Sequence, residues 1–184
     1  MDSRTVTPDQ IKALAAKYGV EYAAVMAVVT VESGGVGFNP PTGKIIIRFE
    51  PHWFKQLYAD WQAHLGDWIN NVAGDQTDEW VQFDNAFSIA PNSAMCATSW
   101  GMMQVMGFNH EAVGFDTVGP MVDFAKVNEA NQVELGLRFI QSEPVLLQAM
   151  RAKNWALFAL HYNGEDYAEN QYDTKLLNAY NKFI

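Results

Sequence analysis

Residues Val25 to Phe38 read VMAVVTVESGGVGF, and the reading of this stretch decides the fold. From Tyr22 to Val31 nearly every residue is apolar, and the run is bounded by Glu21 and Glu32. Val28, Val29, Thr30 and Val31 are β-branched and lower helix propensity, so a strand competes. The segment is long, and Ala23, Ala24, Met26 and Ala27 are good helix formers, so a helix is expected. Its lack of a polar face marks a buried core helix. The run is too short for a bilayer, which needs roughly 18 to 20 apolar residues. Gly34, Gly35 and Gly37 then stop the helix and allow another molecule to approach the backbone closely.

On such a helix Val25, Val28 and Val29 share the face of Glu32. A carboxyl at the edge of an apolar surface is partly desolvated, which raises its pKa. A carboxylic acid still protonated near neutral pH is what a general acid requires. Taken alone, the stretch also fits a polar helix end facing water, with Ser33-Gly34-Gly35 as an ordinary C-cap.

The totals bound the alternatives. A chain of 184 residues, 49% hydrophobic and 13% aromatic, fits one domain with a real core and excludes disorder. The formal net charge of −9 argues against nucleic acid as a partner and against nonspecific adhesion to anionic membranes. A single cysteine, Cys96, leaves no internal disulfide, and no catalytic context surrounds it. MDSRTVTPDQ lacks the basic and apolar regions of a secretory signal, so a protein acting outside the membrane would need another route out. No linker or repeat divides the chain, so one domain over residues 1–184 is expected.

Taken in order, Thr7-Pro8-Asp9 reads as the start of a helix carrying Ile11, Leu14, Ala15 and Tyr18 and ended by Gly19. Lys44 to Glu50 (KIIIRFE) is the best strand, its partner too short to identify. Pro51 opens a helix with Phe54, Leu57, Trp61, Leu65 and Trp68 at helical spacing. Trp80, Phe83, Ala86 and Phe87 mark another within a loop-rich section. Further helices open at Pro120, run through Val133 to Ile140, and cover Val145–Arg151 and Trp155–Tyr162. The last covers Tyr172–Phe183, with Leu176, Leu177, Tyr180 and Phe183 inward. The expected fold is mainly α with a small β element: about eight helices around a core helix.

Three distant segments read as apolar helix ends carrying a few polar groups: VESGG (Val31–Gly35), SWGMMQVM (Ser99–Met106) and ALHYNG (Ala159–Gly164). Together they resemble the landmarks of the goose-type lysozyme and lytic transglycosylase superfamily. The similarity is closer to the N-acetylmuramidase domain of bacteriophage endolysins. That resemblance adds Phe49, Glu50 and His52 at the strand end, SWGMMQVMGFN, and the run from Trp155 through YNG to YDTKLLNAY, spanning roughly residues 7 to 183. It implies a lysozyme-like fold and a bacteriolytic peptidoglycan hydrolase. The bond cleaved would be the β-1,4 link between N-acetylmuramic acid and N-acetylglucosamine. Two departures from the family follow: many relatives carry a separate wall-binding domain and none is expected here, and the acidity of the chain departs from what an anionic cell wall would favour.

Carried over, the resemblance makes Glu32 the catalytic acid and places Gln104, Tyr162 and Asn163 along the cleft. Ser33, Ser99 and Trp100 belong to the same motifs and join the candidate substrate-binding set. Gln104 and Asn163 read equally as a satisfied buried amide and a helix C-cap. Glu50 is the candidate second carboxylate, to activate water or stabilise positive charge on the sugar. It reads equally as a structural ion pair with Arg48 or His52. The four histidines do not fall at metal spacings, so no metal and no cofactor are expected. His161 reads as a packed histidine, and Met102, Met103 and Met106 as core.

The expected partner is the glycan strand, met by a monomer without stable membrane insertion. A separate membrane-permeabilising protein would let the enzyme reach the wall, in the periplasm or from outside. Two other readings stay open. A lytic transglycosylase would let the muramic 6-hydroxyl attack and leave 1,6-anhydro ends. A non-catalytic glycan-binding or virion module would bind without cleavage.

Overall fold

The computed structural model describes residues 3–64, 66, 69 and 74–184. Among them are ten α-helices and one three-stranded antiparallel sheet. The helices are α1 (Pro8–Tyr18), α2 (Tyr22–Ser33), α3 (Pro51–Leu57), α4 (Gln76–Ile89), α5 (Pro91–Cys96), α6 (Val118–Val127), α7 (Glu129–Ser142), α8 (Pro144–Ala152), α9 (Trp155–Asn163) and α10 (Tyr172–Tyr180). The strands are β1 (Ile47–Phe49), β2 (Thr98–Trp100) and β3 (Val105–Met106). No single helix among the described residues is long and apolar enough to cross a membrane.

The helix α2 is the centre of the core. Val25, Ala27, Val28 and Val29 are fully buried, and α1 and α10 pack along it. It ends as its sequence requires. Gly34 and Gly35 take positive φ of 65° and 83°, and their N–H groups close on Thr30 and Val29. Upstream, Thr7 and Gln10 form a reciprocal capping box on α1, and Gly19 ends that helix at φ 63°.

SWGMMQVM, expected as a helix end, is instead a β-hairpin. It supplies both β2 and β3, and β2 is the missing partner of β1. The register pairs Arg48 with Ser99 and Ser99 with Met106, placing these three on one face. Ile47, Trp100 and Val105 share the other face, and all three are buried. Because side chains alternate along a strand, this register sends Trp100 into the core. Opposite β2, the outward groups of β1 are taken by α4. Gln76 both donates to and accepts from the Ile47 backbone, and the Phe49 N–H donates to Glu79 at 2.7 Å.

The helix α7 holds the pieces together. Glu129 accepts from the N–H groups of Val6 and Gly37, each at 2.9 Å. Gln132 accepts from Met102 N–H and donates to the carbonyl of Ala125. Packing there is so tight that a β-carbon on Gly37 would collide with Gln132, and one on Gly101 would come within 2.7 Å of it.

Several local expectations fail. The helix opened by Pro51 stops at Leu57, where Tyr58 turns extended and keeps its ring against Phe54 at 5.7 Å. Trp61 lies on a separate 3-10 turn, Trp61–His64, while Leu65 and Trp68 lie outside the described residues. The short helix α5 was not anticipated. On α10, Leu177 is exposed, and Ala179 with Leu176 forms the inward contact.

Candidate active site

Glu32 closes the buried face of α2 and is itself half-buried. Asn163, the last residue of α9, donates from Nδ2 to Glu32 Oε1 at 2.8 Å. Loss of hydration pushes the Glu32 carboxyl above the usual carboxylate range. The Asn163 hydrogen bond and the positive charge of Arg48 pull the other way and are outweighed. Gly34 and Gly35 leave open space beside the acid: a β-carbon on either would meet nothing.

Tyr162 packs flat on Phe158, with ring centroids 5.1 Å apart, and donates its hydroxyl to the carbonyl of Met103 at 2.6 Å. Its phenol is pushed well up by burial and by the nearby Glu32 charge. Tyr162 therefore fixes the α9 end against the hairpin rather than donating to the acid. Tyr172, at the start of α10, also feels the charges of Glu32 and Arg48, and burial raises its phenol pKa.

Gln104 turns the hairpin at φ 49°, an unusual conformation for a non-glycine residue. Its amide is used within the hairpin, donating to Gly101 O at 2.7 Å and accepting from Ser99 Oγ at 2.7 Å. The strained residue is thus locked by its own side chain. Gln104, Tyr162 and Asn163 all line one cavity of about 450 Å³.

Of the other expected residues, Ser33, Ser99 and Trp100 do not line that cavity, and neither do Glu32 and Glu50. Trp100 is 1% exposed and gives its indole N–H to Met95 O, so it belongs to the core and not to the cleft wall. Ser33 donates its hydroxyl back to Val29 O at 3.1 Å, which serves the helix end.

Glu50 precedes α3 and pairs with Arg48 Nε at 2.9 Å and with His52 Nδ1 at 3.5 Å. The ion-pair arrangement is therefore present. Arg48 is also the cation whose charge reaches Glu32, so it stands electrostatically between the two carboxylates. Asp60, Asp84 and Asp116 are exposed, and Asp84 pairs with Lys44 at 3.7 Å.

Sequence reasoning missed Glu143, an exposed carboxylate on the cavity wall between α7 and α8. Its only signal is the following Pro144, which marks a helix junction. His161, expected to be packed, is exposed on the same cavity. Met102 and Met103 are buried as expected, whereas Met106 is only partly so and lines the cavity. Burial pushes the Cys96 thiol up, away from a reactive thiolate.

Comparison with known proteins places the chain among relatives. The family model described as N-acetylmuramidase matches residues 21–184. An endolysin of Enterobacteria phage PRD1 is 29% identical over 130 residues, 67% of this chain and 78% of that protein. The crystal structure of Burkholderia AP3 phage endolysin superposes with a TM-score of 0.85 at 40% identity. That match covers 98% of this chain and 71% of the other.

Proposed function

Since this chain belongs to the N-acetylmuramidase family, a lysozyme-like group of glycoside hydrolases acting on peptidoglycan, we propose that Glu32 is the acid of its reaction. The enzyme hydrolyses peptidoglycan, and its likeness to two phage endolysins sets it among lysis enzymes of bacteriophages. The observation that carries the Glu32 assignment is a desolvated carboxyl held by Asn163, itself a residue of the cavity wall, with glycine backbone and open space following it in the chain.

In this reading, protonated Glu32 delivers its proton to the glycosidic oxygen between N-acetylmuramic acid and N-acetylglucosamine as that bond breaks. Positive charge then develops on the sugar. Glu50, anchored by Arg48 and His52, is the carboxylate that orients water or balances that charge. Gln104 and Tyr162 shape the cleft: Gln104 keeps the hairpin turn in its strained form, and Tyr162 ties that turn to the helix bearing Asn163.

The enzyme acts on the bacterial cell wall. We further propose that it works as a monomer made in the host cytoplasm and reaches the wall after a separate protein opens the membrane. The Glu32→Gln variant tests the acid. It should fold normally and lose roughly 100-fold or more of its lysis of purified sacculi. Near-normal lysis would reject the assignment.

A further inference from the structure

The cavity beside Asn163 has an aromatic wall that the acid–base chemistry does not use. Trp53 and Phe108 both line it and meet edge to face, with ring centroids 5.0 Å apart. Trp53 comes from the first turn of α3 and is half-buried. Phe108 comes from the 3-10 turn Gly107–Asn109 and is 37% exposed. The turn is seated firmly: a β-carbon on Gly107 would collide with the carbonyl of Met95. The His52 ring also lies against the indole, with centroids 5.2 Å apart. Trp80 and Trp100 give their indole N–H groups to Ile45 O and Met95 O, each at 3.1 Å. The indole N–H of Trp53 makes no such bond among the described residues, so it stays available to a ligand.

The rest of the lining is polar and carries Gln104, Asn109, Glu143, His161 and Asn163. A pyranose ring has the matching character, an apolar C–H face inside a rim of hydroxyls. Charge narrows the choice further. Glu143 is an acid on the wall, and neither lysine nor arginine lines the cavity among the described residues. The muramic units of the glycan strand carry peptide stems with free carboxylates, whereas the N-acetylglucosamine units are neutral.

We propose that this cavity is the subsite for an N-acetylglucosamine unit, stacked on Trp53, with Glu143 repelling an anionic stem. The proposal rests on the reading of the chain as a peptidoglycan hydrolase cleaving beside Glu32. It is tested by binding, in the Glu32→Gln background, so that it does not depend on which residue is the acid.

The probes are chitotetraose, an all-N-acetylglucosamine oligomer, and a muropeptide bearing its peptide stem, each followed by calorimetry. Trp53→Ala should weaken chitotetraose binding roughly tenfold or more, and Trp53→Phe should restore most of it. Glu143→Gln should tighten muropeptide binding relative to chitotetraose. In the otherwise wild-type enzyme, Trp53→Ala should raise KM without moving the pH profile of kcat, and Trp53→Phe should bring KM most of the way back. Chitotetraose affinity within about twofold of the parent in a folded Trp53→Ala protein would overturn the stacking role. If Trp53→Ala fails to fold, unchanged chitotetraose affinity in Phe108→Ala would overturn the subsite instead. No relative gain for the muropeptide in Glu143→Gln would overturn the charge selection. A Glu32→Gln enzyme that still lyses sacculi would remove the acid assignment and leave these binding results standing.

Discussion

Asn163 Nδ2 donates to Glu32 Oε1 at 2.8 Å, joining the ends of two helices that lie 131 positions apart in the chain. The bond favours the ionised carboxylate, while burial favours the neutral acid, and burial is the larger effect. The position of Glu32 on the pH scale is thus a balance that substitution can tip.

The alkaline limb of activity should accordingly lie above the range of an ordinary glutamate, because the acid must still carry its proton. Asn163→Ala removes a donor to the ionised form, so the Glu32 pKa rises further and the limb should move to higher pH. A profile of kcat against pH on a soluble glycan fragment reads this directly. A limb that moved down would contradict the balance.

The same shift has a stability consequence. A carboxyl whose pKa is raised by folding contributes stability below its unfolded value of about 4.3, and loses it as pH rises through the folded value. Glu32→Gln should therefore gain stability relative to the parent as pH rises above that point. Urea unfolding at acid and neutral pH measures it. A difference independent of pH would mean that Glu32 is not desolvated in the folded protein.

Glu50 separates chemistry from architecture. Glu50→Gln should keep the fold, because its partners Arg48 and His52 have side chains more than half exposed. Its hydrolysis of peptidoglycan should fall roughly 100-fold. Retained activity would reduce Glu50 to a surface ion pair worth about 1 kcal/mol or less. Products of the wild-type enzyme should carry reducing muramic ends by mass spectrometry; 1,6-anhydro ends would show that the substrate's own hydroxyl attacks.

Glu129 carries a purely structural prediction. Its two oxygens take the N–H groups of Val6 and Gly37, so Glu129→Gln must present an amide N–H to one of them. Leaving one buried donor unpaired should cost about 1–3 kcal/mol in urea unfolding. Because Gly37 follows α2 closely, activity should fall with stability.

What the sequence disclosed was mostly local. The start of α1 needs only Thr7, Pro8 and Asp9, and the end of α2 needs only its glycines, so both were readable, while the Gln10 half of the α1 capping box was not read. The hairpin was not. Its strands are too short to show alternation, and its turn is made by a glutamine at positive φ. Trp100 was misplaced for the same reason, since its face follows from a register with β1 that no neighbouring residue reveals. The Arg48–Glu50–His52 pairing was readable because the three charged groups lie within five positions of the chain. Glu143 and the Trp53–Phe108 wall depend on tertiary packing alone.

The side chains of α4 that cover β1 have a further effect. A bare strand edge is a template on which another chain can lengthen a sheet. Here the outward N–H and C=O of Ile47 and the N–H of Phe49 are already taken by Gln76 and Glu79. An incoming strand would find side-chain amide and carboxylate where it needs free peptide groups. That side of the sheet is closed to polymerisation, so the molecule can become concentrated without β1 seeding fibrils.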